Sequence, residues 1–200
     1  ELNTDILLEA YSLGIFPWPF EESPILWFCP QNRGVLDFSD FHISRSLNKF
    51  LRNCSWQVSF NRAFSDVLEN CANSPRAGQV GTWIIESMKR AYLEFHRAGY
   101  AHSIEVWEGE ELIGGMYGVY VAGVFSGESM FFKKSNASKV ALVHLINLLK
   151  SYQLQWMDIQ MVTQHLKKLG GKYISRKGFL ARLEQEKQRA QVIEFNFKKT

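Results

Sequence analysis

Apolar residues recur along the chain at two different periods, and the change between them predicts a mixed fold. Helical spacing is found over residues 41–53, 61–72 and 82–99. From His102 to Phe132 the period becomes two, and the turn sequences EGEE and VAG divide this run into three strands. This part of the sequence therefore predicts helices followed by antiparallel hairpins.

The remaining segments extend the same interpretation. A helix is expected over 138–150 with Ser138 as its N-cap, then a short strand at WMDIQM, a helix at VTQHLKKLG and a last strand at QVIEFNF. Thr82 is the candidate N-cap of the helix over 82–99. Prolines before residue 31 favour packed loops and short strands there. The fold class predicted is α+β with a mostly antiparallel sheet.

Composition narrows the function classes only slightly. The 200 residues are 46% hydrophobic, which is enough for a sizeable core, and the net charge of +3 is too small to indicate nucleic-acid binding by itself. The three cysteines lack C-x-x-C spacing, and no apolar run approaches the ~20 residues needed to span a bilayer. These features predict a cytoplasmic protein with reduced thiols, no cofactor, no metal and no membrane partner.

Two polar residues interrupt the apolar strand WMDIQM. Asp158 and Gln160 are two positions apart, so both side chains point to one face of the strand, while Met157 and Ile159 point to the other. Polar groups that are buried without partners are costly. The pair therefore belongs to an exposed face, to a satisfied hydrogen-bond network or to a functional site.

Glu128 and four apolar residues can likewise be interpreted either as structural or as functional. Glu128 follows Gly127 on a predicted strand, where its carboxylate can meet a cationic ligand or form an ordinary salt bridge. Trp18 lies between two prolines in a loop, a position at which an aromatic ring more often covers a site than fills a core. Three further residues suit either a core or an apolar pocket: Trp83, Met116 and Phe125.

Basic residues form two local groups. Arg45, Lys49 and Arg52 fall at i, i+4 and i+7, which places them on one helix face. Lys133 and Lys134 directly follow the aromatic pair that ends a predicted strand. Each group is either a solvated surface or a surface that contacts phosphates.

Several stretches together resemble the leucyl/phenylalanyl-tRNA–protein transferases: AYSLGIFPW, GTWI, AHSIEVWEGEELIGGMYGV, FSGESMF, NASKVAL and DIQ…HLKKLGG. Members of that family move Leu or Phe from its tRNA onto proteins that begin with Arg or Lys, which marks those proteins for degradation. The resemblance implies a GNAT-like acyltransferase domain over 54–200. It also implies a smaller N-terminal domain over 1–53, which is incomplete relative to the family.

The resemblance also implies roles for individual residues. Glu128 would bind the acceptor, and Asp158 and Gln160 would be catalytic. The donor side-chain pocket would consist of Trp18, Trp83, Met116, Phe125 and Leu142. The tRNA would be bound by Arg45, Lys49, Arg52, Lys133 and Lys134.

The chemistry expected is direct aminolysis without a covalent enzyme intermediate. The donor is already an activated ester, and the acceptor α-amine has a pKa near ~7.7–8.0, so a useful fraction is neutral at cytosolic pH. Gln160 would accept a hydrogen bond from this amine, and Asp158 would orient and polarise Gln160.

Two alternatives stay open at this stage. An acetyl-CoA-dependent N-acetyltransferase would need a loop of the type R/Q-x-x-G-x-G/A, which the sequence lacks. A non-catalytic tRNA-binding module would explain the basic helix face but leaves Glu128, Asp158 and Gln160 without a role.

Overall fold

The computed structural model describes residues 2–19, 25–74 and 84–196. The described elements are, in chain order, α1 (Thr4–Ser12), β1 (Phe16–Trp18), β2 (Leu26–Phe28), β3 (Asn32–Asp37), α2 (Arg45–Asn53), β4 (Gln57–Phe60), α3 (Phe64–Asn73), α4 (Glu86–Arg97), β5 (Ala101–Glu108), β6 (Glu111–Val121), β7 (Val124–Phe132), α5 (Ala137–Ser151), β8 (Trp156–Gln160), α6 (Gln164–Lys168), β9 (Lys172–Ser175) and α7 (Arg176–Arg189).

The main sheet has the strand order β4-β5-β6-β7-β8-β3-β9, and β1 and β2 form a separate hairpin. Among the described strands, all neighbours in the main sheet pair in antiparallel fashion except β7 and β8, which are parallel and paired at Ser126 and Asp158. The prediction of an α+β fold with a mostly antiparallel sheet is confirmed. The division at residues 53 and 54 stays a prediction, although β3 lies between β8 and β9, so both predicted segments contribute to one sheet.

Helices cover both faces of this sheet because its strands alternate their apolar residues. Tyr117 and Phe131 face a layer that is shared with α1, α3 and α4. Met116 and Ile113 face the opposite layer, which is filled mainly by α5. In the described ranges, each helix is too short or too polar to cross a bilayer.

Most predicted elements correspond to observed ones, with differences at the helix starts. α4 begins at Glu86 after an Ile85 cap, and the candidate cap Thr82 lies outside the described residues. The assignment of Ser138 as the cap of α5 is wrong. Asn136 occupies that position at φ 73° and makes no side-chain cap hydrogen bond; its Oδ1 accepts from Lys139 Nζ at 3.0 Å instead.

The end of the chain differs from the prediction. Residues 190–196 form no strand, so the prediction from QVIEFNF is wrong. Ile193 and Phe195 are nevertheless buried, and the Phe195 ring stacks on His102 at 3.7 Å between ring centroids. These two side chains are thus buried against the sheet without strand pairing, while Val192 between α7 and Ile193 is exposed.

α1, β4, β9 and α7 were not predicted. In α7 the sequence RKGFLARLEQEKQR buries only Phe179 and Leu183, so its apolar stripe is too narrow to produce a clear period.

Candidate active site

A cavity of about 840 Å³ lies beside the ends of β7 and β8. Its apolar wall includes Trp18, Met116, Leu142 and Met157, and its polar wall includes both Glu128 and Gln160. The cavity therefore combines an apolar pocket with two of the predicted functional side chains. Both strands depart from regular geometry just after their parallel pair, and these departures position the two side chains.

A bulge in β7 positions Glu128. Gly118 of β6 pairs with Gly127, while the preceding Tyr117 pairs with Ser129, so Glu128 is an extra residue in the strand. A bulge of this kind redirects the side chain of the inserted residue. The carboxylate of Glu128 consequently reaches the hydroxyl groups of tyrosines on α1 and α4.

A second irregularity positions Gln160 at the end of β8. Val35 pairs with Asp158 and Gly34 with Gln160, so one residue of β8 is extra. Gln160 has φ 58°, and the Met161 N–H donates to the Ile159 carbonyl at 2.6 Å, which closes a three-residue turn. A left-handed conformation at a non-glycine residue costs about 1–3 kcal/mol and is typical of functional sites.

Gly34 makes this turn possible. A Cβ atom at position 34 would lie 2.9 Å from the carbonyl carbon of Met161 and 3.1 Å from that of Gln160. Because backbone atoms cannot move aside as a flexible side chain can, glycine is required where β3 passes the turn.

Asp158 forms a buried ion pair with Arg33. Arg33 donates from Nε to Oδ1 at 2.8 Å and from Nη2 to Oδ2 at 2.7 Å, and the two side chains are 1% and 0% exposed. The Ser126 hydroxyl and the Gln160 backbone N–H add bonds of 2.9 Å each. The expectation that Asp158 polarises the Gln160 side chain is corrected, because Asp158 holds the Gln160 backbone instead and its oxygens are occupied by Arg33 and Ser126.

Arg33 also connects the strand to the surrounding elements. Its guanidinium lies over the ring of Phe16 at 4.6 Å and over that of Phe179 at 4.4 Å, and Nη1 donates to the Gly14 carbonyl at 3.0 Å. Each of the three guanidinium nitrogens therefore donates to a protein oxygen, as a buried guanidinium requires. Arg33 fixes Asp158 relative to α1 and α7.

Glu128 accepts three hydrogen bonds. The Tyr11 hydroxyl and the Gln160 Nε2 group each donate to Oε1 at 2.7 Å, and the Tyr92 hydroxyl donates to Oε2 at 3.2 Å. The two tyrosine oxygens are 2.5 Å apart. Gln160 is thus oriented by Glu128, and its amide oxygen is left for another donor.

The surroundings of Glu128 change its protonation. Burial raises the pKa of Glu128 to about 7, the charge of Asp158 adds to the rise, and the hydrogen bonds from Tyr11 and Tyr92 oppose it. Burial, followed by the charge of Glu128, raises the pKa of both tyrosines well above the usual value. The tyrosines therefore remain protonated donors near neutral pH, while Glu128 exchanges its proton there.

The predicted pocket residues fall into three groups: those that line the cavity, one that is buried elsewhere and one outside the described residues. Trp18, Met116 and Leu142 line the cavity. Phe125 is fully buried in the layer beneath α5, with its ring 5.8 Å from that of Phe195, and is not among the lining residues. Phe125 precedes the bulge and keeps the regular alternation of the strand, so the expectation that it lines the pocket is corrected. Trp83 lies outside the described residues.

The predicted tRNA-binding residues lie on the surface. Arg45, Lys49 and Arg52 are exposed on α2 and are not among the residues that line the cavity. Lys133 and Lys134 are exposed directly after β7, next to residues that line the cavity, and Lys134 forms an ion pair with Glu108.

Sequence reasoning missed four members of the site: Tyr11, Arg33, Tyr92 and Ser126. Tyr92 lies on the predicted apolar face of its helix, where its spacing indicates packing and gives no sign of a hydroxyl partner. An arginine directly before the apolar run GVL was a usable signal for a buried charge at position 33. Within the described ranges, no group of three or more His, Cys, Asp or Glu side chains is arranged to hold a metal ion.

Comparison with known proteins identifies the class of protein. A family model described as leucyl/phenylalanyl-tRNA protein transferase matches residues 35–184, and one described as the N-terminal domain of the same family matches residues 1–31. The leucyl/phenylalanyl-tRNA–protein transferase of Syntrophobacter fumaroxidans is 49% identical over 92% of this chain and 79% of its own length. The corresponding protein of Anaeromyxobacter sp. is 47% identical over 92% of this chain and 78% of its own length.

A weaker likeness links the fold to the structure of L-PGS from Bacillus licheniformis, with a TM-score of 0.46 and 13% identity over 88% of this chain and 67% of that one. The sequence matches show that the protein is an aminoacyltransferase. The chain belongs to the leucyl/phenylalanyl-tRNA protein transferase family.

Proposed function

We propose that this cytoplasmic enzyme transfers Leu or Phe from its tRNA to the amino-terminal Arg or Lys of an acceptor protein, by direct aminolysis in the cavity beside β7 and β8. The observation that carries the proposal is that one cavity holds an apolar wall together with the hydrogen-bonded pair of Glu128 and Gln160. The apolar wall suits the donor side chain, and the acidic pair suits a cationic amine.

The donor side chain lies against Trp18, Met116 and Leu142 in this proposal. Burying a Leu or Phe side chain is worth ~1.5–3 kcal/mol, which corresponds to a preference over Ala of roughly 10- to 150-fold. The ester carbonyl then lies at the boundary between the apolar wall and Gln160.

Gln160 orients the attacking amine. Because its Nε2 donates to Glu128 at 2.7 Å, its amide oxygen faces away from Glu128 and accepts an N–H from the amine. The negative charge of Glu128 on the nitrogen side polarises the amide and strengthens this acceptor. Asp158 contributes at the backbone, where it holds the turn that presents Gln160.

Glu128 attracts the cationic acceptor. Among the described residues, its Oε2 atom accepts only the 3.2 Å bond from Tyr92, so this oxygen has room for a further donor. In the reaction, the amine nitrogen forms the amide bond, the ester C–O bond breaks, and the ribose oxygen gains the proton that the nitrogen loses. A carboxyl whose pKa is about 7 can carry that proton between the two.

The GNAT-like assignment of 54–200 and a separate N-terminal domain over 1–53 are parts of the same proposal. The GNAT-like assignment is supported by the mostly antiparallel sheet and by the position of the cavity at the described parallel pair of strands. The N-terminal domain is supported by the family model that matches residues 1–31, whereas β3, from the same predicted segment, lies in the main sheet.

A transfer assay tests the proposal. The protein is incubated with Leu-, Phe- or Ala-tRNA and with peptides that begin with Arg, Lys or Ala, and mass spectrometry measures the peptide product. Product is expected only for Leu or Phe donors with Arg or Lys acceptors. Transfer of Ala at a comparable rate, or equal use of the Ala peptide, would reject the assigned substrates.

Leu142→Ala tests the donor pocket, and Ile146→Ala is its matched control. Both residues are buried on α5, but only Leu142 lines the cavity, so both variants lose stability and only Leu142→Ala loses preference for Leu over Ala. Equal preference in the two variants would place the pocket elsewhere.

A further inference from the structure

Phe132 is exposed at the edge of the cavity. It is the last residue of β7, its side chain is 64% exposed, and it is the most exposed aromatic residue among the large hydrophobic residues of the described ranges. The neighbouring Phe131 packs into the layer of α3 and α4, so Phe132 faces the other side, where α5 begins. Single exposed apolar residues are common, and the surroundings of this ring decide its meaning.

The cavity becomes polar on the side of Phe132. Ser135, Asn136 and Lys139 belong to this wall, and Lys139 donates to the Asn136 side chain at 3.0 Å. Lys133 is exposed directly after the ring. Neither Lys133 nor Lys139 forms an ion pair with any residue that the structure describes, whereas Lys134 is neutralised by Glu108.

His165 adds an unused hydrogen-bonding atom to the same wall. Its Nε2 is buried and has no hydrogen-bond partner among the described residues. Burial, followed by the charges of Lys139 and Lys168, lowers the pKa of His165, so the ring is neutral near pH 7. A neutral imidazole with an open nitrogen suits an uncharged ligand group such as a ribose hydroxyl.

The apolar wall and the polar wall of the cavity together determine how the aminoacyl-tRNA lies in it. If its side chain occupies the apolar wall at Trp18 and Met116 and its ester lies at Gln160, the nucleotides must extend along the polar wall. An exposed aromatic ring beside two uncompensated lysines is the combination that binds single-stranded nucleic acid, because the ring stacks on a base and the lysines contact phosphates.

We propose that Phe132 is a stacking platform for a base in the unpaired 3′ end of the donor tRNA, with Lys133 and Lys139 at the adjoining phosphates. This inference rests on the proposed function, since the direction of the donor follows from the donor pocket. In this arrangement Phe132 contacts the tRNA and does not contact the acceptor peptide.

Three substitutions at position 132 separate stacking from simple apolar cover. Phe132→Trp keeps a ring, Phe132→Leu keeps apolar area without a ring, and Phe132→Ala removes both. Because the side chain is mostly exposed, all three are expected to fold. Fluorescence anisotropy measures the binding of a non-reactive analogue of charged tRNA. The transfer assay measures the KM of the acceptor peptide.

Stacking predicts a loss of tRNA affinity on the order of 10-fold for both Phe132→Ala and Phe132→Leu, with Phe132→Trp close to wild type and the peptide KM unchanged. Lys133→Ala and Lys139→Ala should each reduce the slope of log K against log salt by about 0.7. Lys177→Ala, an exposed lysine on α7, should leave that slope unchanged.

Phe132→Leu binding like wild type would overturn the stacking role, and so would an effect confined to the peptide KM. The binding measurement does not require transfer, so it distinguishes the two proposals. If the Phe132 variants lose affinity for charged tRNA but the wild type makes no peptide product, the proposed function alone would be rejected. An active wild type with unchanged binding in all three variants would reject the role of Phe132 alone.

Discussion

Arg33 and Asp158 are the residues whose pairing fixes the end of β8. Both are buried, and their two parallel hydrogen bonds satisfy charges that water cannot reach. Removing one partner of such a pair leaves the other as an uncompensated buried charge, whereas removing both charges does not.

Arg33→Met is therefore expected to lower the free energy of unfolding by about 3–5 kcal/mol. The double variant Arg33→Met with Asp158→Asn should recover part of this loss, because it no longer buries an unpaired charge. Urea unfolding of the wild type, both single variants and the double variant measures the coupling. Additive losses in the double variant would show that the pair is not the source of the effect.

Glu128 makes stability depend on pH in a predictable direction. Its pKa is about 7 in the folded protein against an ordinary value of 4.5, so between these values the folded state binds more protons than the unfolded state. The stabilising effect of the protonated carboxyl is complete below pH 4.5 and is lost as pH rises through 7.

Glu128→Gln removes this titration while keeping the shape of the side chain. The free energy of unfolding of the wild type, relative to this variant, should therefore fall as pH rises from about 4.5 to 8. Unfolding titrations in urea at several pH values measure the difference. A difference that stays constant over this range would contradict the raised pKa.

The sequence predicted the polar residues of the site but not their hydrogen-bond partners. The spacing of Asp158 and Gln160 and the isolated position of Glu128 identified the polar cluster, because polar residues on apolar strands need a reason. The side chains that bond to the side chains of these residues lie 32 to 125 positions away along the chain, and only the folded sheet brings them together. Asp158 was consequently expected to polarise Gln160, whereas its contact in the structure is with the Gln160 backbone N–H.

Among the secondary-structure elements, β7 and β8 form the site because each contains an irregularity that redirects a functional side chain, Glu128 in β7 and Gln160 in β8. The turn at Gln160 holds a residue with a side chain in a left-handed conformation, at φ 58°. Glycine adopts this conformation freely, whereas alanine is strained in it.

Gln160→Gly should therefore be more stable than Gln160→Ala, by roughly 1 kcal/mol. At Gln57, an exposed residue of β4, the order should reverse, with Ala more stable than Gly by about 0.5–1 kcal/mol. Thermal or urea unfolding of the four variants gives both differences. The same order at both positions would show that the turn carries no strain.

The exposed face of α2 is the second element with a testable role. Arg45, Lys49 and Arg52 lie along α2, while Leu47 anchors the helix in the core. If these cations contact tRNA phosphates, changing all three to alanine should flatten the slope of log K against log salt by about two to three units.

Lys177, Lys187 and Arg189 on α7 provide the matched control, because changing them to alanine removes the same charge from another surface. The α7 variant should keep the wild-type slope. Equal slopes for the α2 variant and the wild type would place the tRNA on a different face, and equal losses in both variants would indicate a non-specific effect of net charge.

At the scale of the whole molecule, the order of the elements could be predicted and their arrangement could not. The period-two run from His102 to Phe132 identified three strands because each alternates its residues between two buried layers. The insertion of β3 between β8 and β9 leaves no local signal, since a strand carries no mark of its neighbours. That insertion brings Arg33 to Asp158 and Gly34 to the turn at Gln160.

The central role in the proposed mechanism belongs to Gln160, which orients the amine for direct attack on the ester and takes no part in holding the tRNA. The most direct test is single-turnover transfer from Leu-tRNA to a peptide that begins with Arg, measured alongside the Kd of charged tRNA, for wild type, Gln160→Ala and the control Gln57→Ala. Loss of the orienting group should slow transfer by on the order of 100-fold in Gln160→Ala, with Kd unchanged and the control like wild type. Transfer at the wild-type rate in Gln160→Ala, or a fall in rate matched by a fall in tRNA affinity, would contradict it.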